Sequence, residues 1–138
     1  MTVSREQLKT VAAAMLGELG VEHPLGHQAS KARRYVISAP DGTELQIMFQ
    51  QDEDSPPNVW VLEQAAGALA ARAKPYPRSA LWTKTGKDGN PVYGRHSALE
   101  SMLQLGDADL ACFAPTTLEE LGAIFDQLLA ASAARVAP

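Results

Sequence analysis

The stretch from Thr43 to Gln50 constrains the fold of this chain more than any other. Leu45, Ile47 and Phe49 alternate with Glu44, Gln46 and Gln50. A period of two puts the apolar set on one side of an extended chain and the polar set toward solvent. Pro40-Asp41-Gly42 precedes it as a turn, because Pro presets φ and Gly tolerates positive φ. Before the turn, Arg33 to Ala39 reads as a second strand with Tyr35 and Ile37 on one face. Such a hairpin has one apolar side and needs an opposing layer.

Helices at both ends can supply that layer. Ser4 and Gln7 have capping-box spacing, and Leu8, Val11, Ala12, Met15 and Leu19 follow at helical intervals up to Gly20. A helix over residues 5–19 follows. Pro115 to Glu120 starts a last helix with another capping box, its apolar face being Leu118, Leu121, Phe125, Leu128 and Leu129. Between these ends, Asn58 to Leu62 is a short strand with Val59 and Val61 flanking Trp60. Glu63 to Ala73 is an Ala-rich helix ended by Pro75, and Lys74 to Arg78 is an extended linker. Asp109 to Phe113 is a further strand, with Leu110 and Cys112 opposite in facing to Ala111 and Phe113. The fold class expected is α+β: a single two-layer domain over residues 1–138, with 130–138 a frayed tail. Its sheet is mainly antiparallel, of about five to six strands, with the N- and C-terminal helices packed on it.

The stretch from Ala80 to Met102 carries the sequence's most unusual chemistry. Gly86-Lys87-Asp88-Gly89-Asn90 is a hairpin turn between Ala80–Thr85 and Asn90–His96. A two-residue loop or a four-residue loop places Trp82, Lys84, Tyr93 and Arg95 on one face, with Leu81, Thr83 and Val92 on the other. A three-residue loop breaks that sorting. Ser97 to Glu100 has the spacing of a capping box, so Arg95 and His96 precede a short helix that stops at Gly106. An anion at that helix start competes with the cap itself.

Charge is segregated along the chain. The net value is −4, yet residues 72–96 carry Arg72, Lys74, Arg78, Lys84, Lys87 and Arg95 against Asp88 alone. Residues 41–71 hold six acidic side chains and no basic one. An acidic protein with one basic segment offers an acidic partner a place to dock, unless these charges pair within the fold. The acidic run from Gln51 to Pro57 is a solvated connection, a cation loop or an acidic recognition surface.

Motifs for chemistry are few. Gly86-Lys87 lacks the rest of a phosphate-binding loop, and there is no G-x-S-x-G elbow. His23 and His27 are separated by Pro24 and Gly26, which argue against a helical metal pair. Ser97 beside His96 reads better as a cap than as a nucleophile. Cys112 reads as core; it is the sole cysteine, which excludes an internal disulfide and fits a reducing cytoplasm. No apolar run approaches the roughly 18 residues of a membrane span, and the first residues lack a signal peptide's apolar core.

The expectation is a small soluble binding protein without enzymatic activity, an inhibitor, immunity protein or accessory subunit. It acts on a protein or a protein–nucleic-acid complex through Trp82, Lys84, Lys87, Tyr93, Arg95 and His96. No catalytic set, metal site or cofactor is expected. The alternatives are a nucleic-acid-binding domain using the same basic and aromatic face, and a nuclease or other hydrolase centred on Arg95 and His96.

Overall fold

The computed structural model describes residues 4–26, 31–38, 44–52 and 55–134, with the side chains of Ser97 and residues 132–134 excepted. The expected turn at Pro40-Asp41-Gly42, His27, and the carboxylates of Glu53 and Asp54 lie outside the described residues.

Helix α1 is Arg5–Leu19 and starts as its sequence dictates. The Ser4 hydroxyl accepts from the Gln7 N–H, and the Gln7 side chain accepts from the Ser4 N–H. Leu8, Ala12 and Leu16 are buried, with Val11, Met15 and Leu19 packed at the margin. Strands β1 (Val21–Glu22), β2 (Ala32–Ser38), β3 (Glu44–Gln50) and β4 (Val59–Leu62) follow in antiparallel succession. Helix α2 (Glu63–Ala66) leads through a 3-10 segment, Gly67–Arg72, to β5 (Lys74–Tyr76). An excursion over residues 77–109 contains β6 (Lys84–Thr85), β7 (Pro91–Val92) and the short helix α3 (Ser97–Glu100). The chain then returns as β8 (Leu110–Phe113) and ends in α4 (Leu118–Ala134).

The fold is α+β, with a six-stranded antiparallel sheet ordered β1-β2-β3-β4-β8-β5. Strand β8 inserts between β4 and β5. On one face α1, α2 and α4 cover Tyr35, Ile37, Leu45, Ile47, Phe49, Val59, Val61, Ala111 and Phe113. The alternation read from the sequence sorts each strand's residues in this way, with Leu45, Ile47 and Phe49 inward, and the register of the sheet brings the sets of the different strands to one side. Leu121, Phe125 and Leu128 of α4 face them, joined by Ile124. Leu118 and Leu129, expected on that apolar face, are instead exposed, because they fall outside the arc of α4 that meets the sheet. Helix α4 continues through Ala134, past Ala130.

The opposite face is covered as well. Met48, Trp60, Leu110 and Cys112 pack there against Ala98, Leu99, Met102 and Leu105 of the excursion. Gln46 and Gln50, expected in solvent, are therefore each only 8% exposed. Two further expectations are corrected. The helix expected over Glu63–Ala73 stops at Ala66, because Gly67 takes φ +56 and breaks the α ladder. The expected linker Lys74-Pro75-Tyr76 is an edge strand paired with β8. Pro75 fits there through strand parity. The Glu63 N–H donates to the Asp109 carbonyl, so Asp109, Ala111 and Phe113 direct their backbone groups toward β4. Leu110 and Cys112 then face Lys74 and Tyr76, and Pro75 turns its missing donor outward.

Candidate functional site

The β6–β7 hairpin has a three-residue loop, Lys87-Asp88-Gly89. The Gly86 N–H donates to the Asn90 carbonyl at 2.8 Å, and Gly89 takes φ +82, open to solvent. The Asp88 carboxylate accepts from the Asn90 N–H and side-chain amide, and those bonds hold its carboxyl below the usual range. Lys84 consequently stands opposite Val92, and Thr85 opposite Pro91. This is the register that breaks the expected sorting of Trp82, Lys84, Tyr93 and Arg95 onto one strand face. The flanking strands are also shorter than expected: Arg78–Ala80 is a 3-10 turn, and Leu81 and Trp82 lie in a turn. Trp82 and Tyr93 still meet, edge to face, with ring centroids 5.9 Å apart.

Each expected site residue has a definite place. Trp82 is 55% exposed, while Leu81 beside it is buried. The Tyr93 hydroxyl donates to the Gly106 carbonyl at 2.8 Å, and burial pushes its phenol pKa up. Arg95 is not an open cation. Its guanidinium donates to the carbonyls of Tyr76, Leu105 and Ala108, so it ties the hairpin base to β5 and to the turn before β8. His96, not Ser97, is the N-cap of α3: its Nδ1 accepts from the Ala98 N–H at 3.0 Å. Burial lowers the His96 pKa, against the opposing field of Asp52. The helix ends at Glu100, four residues long and well short of Gly106. Lys84 and Lys87 are exposed, and among the described residues neither has an ion-pair partner.

A cleft of about 570 Å³ opens between the hairpin and the covered face of the sheet. It gathers Lys84, Tyr93, Arg95 and His96 from the expected set, together with Gln50, Asn58, Trp60, Lys74 and Tyr76. Among the described residues none that lines it is acidic. At its base, Trp60 Nε1 and Asn58 Nδ2 each donate to Gln50 Oε1 at 2.8 Å. The Tyr76 ring lies 4.5 Å from Trp60, and Lys74 Nζ stands 5.1 Å from the Tyr76 centroid. Trp82 lies on the far side of Tyr93, in a separate hollow with Glu100, Leu103 and Asp107. Lys87 lines neither.

Sequence reasoning missed Gln50, Trp60, Lys74 and Tyr76. For Trp60 a signal was present: alternation puts it opposite Val59 and Val61, on the side of Gln50. Lys74 showed only as one charge of the basic run over residues 72–96, and for Tyr76 there was no signal, since three residues around a proline give no strand pattern.

Among the described residues no group of three or more His, Cys, Asp or Glu side chains is placed to hold a metal ion. Cys112 is buried, and burial pushes its thiol up to about 12. Among the described residues no helix is long and apolar enough to cross a membrane. The sequence matches no protein-family model, no curated protein and no solved structure, so the cleft is read from its own chemistry.

Proposed function

We propose that this chain is a binding protein without enzymatic activity that docks on a macromolecular partner through the cleft beside the β6–β7 hairpin. The observation that carries the reading is the convergence of Tyr93 and of Tyr76, seated on the buried Trp60, with the ammonium groups of Lys74 and Lys84 in a cleft whose described lining residues include no acid. Rings held in place by the fold supply contact area at little entropic cost, and cations around them select an acidic surface. The nucleic-acid reading has less support from the same geometry, because Arg95 spends its donors on backbone carbonyls. The hydrolase reading loses the same guanidinium and the His96 Nδ1. Localisation in the cytoplasm remains part of the proposal.

The test is affinity capture from the source cells with the wild type and with the double variant Lys74→Glu/Lys84→Glu. The two baits must share a melting temperature. A partner retained by the first, lost by the second, and protecting Tyr76 and Tyr93 amides from hydrogen exchange supports the reading. A partner held equally by both baits overturns it.

A further inference from the structure

We infer that the cleft between β5 and the β6–β7 hairpin takes an extended, carboxylate-rich segment of a protein partner, with one apolar or aromatic side chain of that segment seated against Tyr76. The inference rests on the proposed docking function and names what is docked.

Four groups of the cleft offer donors, beside the acceptor that Asn58 keeps in its Oδ1. Gln50 Oε1 already accepts from both Trp60 and Asn58, so the amide group Gln50 has left is Nε2, a donor. His96 Nδ1 accepts from the Ala98 N–H, which leaves Nε2 as the protonated nitrogen of a neutral ring. Lys74 and Lys84 add ammonium groups on the two walls, one on β5 and one on β6. Two cations on separate walls with neutral donors between them suit groups that only accept and that carry single charges at intervals. Carboxylates along a peptide have that character.

Phosphate is the poorer fit. Paired recognition of a phosphate favours a guanidinium fork, and the one guanidinium of the cleft is committed to three carbonyls. A nucleic-acid strand needs several phosphate contacts for affinity, and two ammonium groups on a chain of net charge −4 supply few. The segment must lie across the cleft rather than add to the sheet. Pro75 offers no outward N–H, so β5 is a poor edge for strand addition. An apolar side chain has a place as well, since Tyr76 is half-buried on Trp60 and flanks the open volume.

The two indole N–H groups make the test internally controlled. Trp60 Nε1 lies at the base of the cleft, and Trp82 lies beyond Tyr93 in the other hollow. The full chain, isotopically labelled, is titrated with a random glutamate–tyrosine copolymer, with free glutamate, with inorganic phosphate and with oligothymidylate. Expected is a shift of the Trp60 indole and the Gln50 and Asn58 amide signals on adding copolymer. Affinity should fall roughly tenfold or more in Lys74→Glu/Lys84→Glu and stay within about twofold in Lys87→Glu. Several results overturn the inference: oligothymidylate binding the same signals more tightly than copolymer, free glutamate or phosphate saturating them as tightly, copolymer shifting other signals, or no binding. If copolymer fails while a captured partner still depends on Lys74 and Lys84, this inference falls and the docking function stands. If capture ignores those lysines, the docking function falls with it.

Discussion

Gln46 and Gln104 exchange hydrogen bonds across 58 residues of sequence: the Gln46 N–H donates to Gln104 Oε1 at 2.7 Å, and the Gln104 N–H donates to Gln46 Oε1 at 3.0 Å. Gln104 Nε2 also donates to the Glu44 carbonyl at 2.8 Å. Strand β4 pairs with β3 only at Met48 and Phe49, so the edge of β3 at Glu44 and Gln46 lacks a neighbouring strand. The Gln104 amide serves as that neighbour. Gln104→Ala should therefore cost about 1–3 kcal/mol, the scale of leaving a half-buried backbone donor unpaired. Gln104→Glu keeps the acceptor and loses the donor, and should fall between the two. Urea denaturation of the three proteins checks the order.

Both faces of β3 are core. Phe49→Ala should cost about 3–5 kcal/mol and Met48→Ala about 2–5 kcal/mol, by lost transfer energy and the cavity left behind. The second value discriminates. If the face bearing Gln46 and Gln50 were wet, Met48→Ala would leave the melting temperature nearly unchanged.

Arg95 should behave as a structural residue and Lys84 as a surface one. Arg95→Lys replaces a fork by a point donor that cannot reach three carbonyls, so a loss of about 1–3 kcal/mol is expected. Lys84→Glu should stay within about 0.5 kcal/mol of the wild type, as exposed substitutions do. Thermal unfolding of both variants decides this, and equal losses would mean Lys84 is tied into the fold.

Stability should decline on mild acidification. His23 and His96 make the same local contact, each Nδ1 accepting from the backbone N–H two residues on. Burial lowers both pKa values from the ordinary 6.5, with Arg34 pushing His23 further down. The unfolded rings take up protons near their ordinary pKa, whereas the folded rings resist until lower pH. Stability from these groups is thus full above that value, falls as pH drops below it, and levels off beneath the folded pKa values. His23→Asn/His96→Asn keeps an acceptor that does not titrate. Its unfolding free energy should lose that part of the slope between about pH 8 and pH 5, which chemical denaturation at each pH would show.

The legible part of the fold was local. The Ser4–Gln7 box, the Leu45-Ile47-Phe49 stripe and the opposite facings of Leu110–Cys112 and Ala111–Phe113 each declare themselves within a few residues. What was not legible depends on distant partners. Lys74-Pro75-Tyr76 becomes a strand only because β8 lies beside it. Gln50 is buried because the indole of Trp60 and the amide of Asn58 need its oxygen. The hairpin register turned on one residue of loop length, which glycines at both Gly86 and Gly89 leave undetermined. Nothing near Lys9 in the sequence marks it for burial, yet its side chain is 6% exposed and its Nζ donates to the Asp52 carbonyl at 2.8 Å. The candidate site suffered most. Its cations were visible as a charge run, whereas its concavity arises from the sheet, the edge strand and the hairpin together.

The place of β8 between β4 and β5 has a consequence for synthesis. Strand β5 leaves the ribosome before the strand it pairs with, and so does the whole excursion that covers the second face. At about 5–20 residues per second, the interval between Tyr76 and Leu110 lasts a few seconds. For that time Val59, Trp60 and Val61 have one bare flank, and Leu99, Met102 and Leu105, as they emerge toward its end, have half a floor to settle on. The nascent chain then carries apolar strand surface without a neighbour, and completion of the sheet waits for Phe113 to clear the exit tunnel.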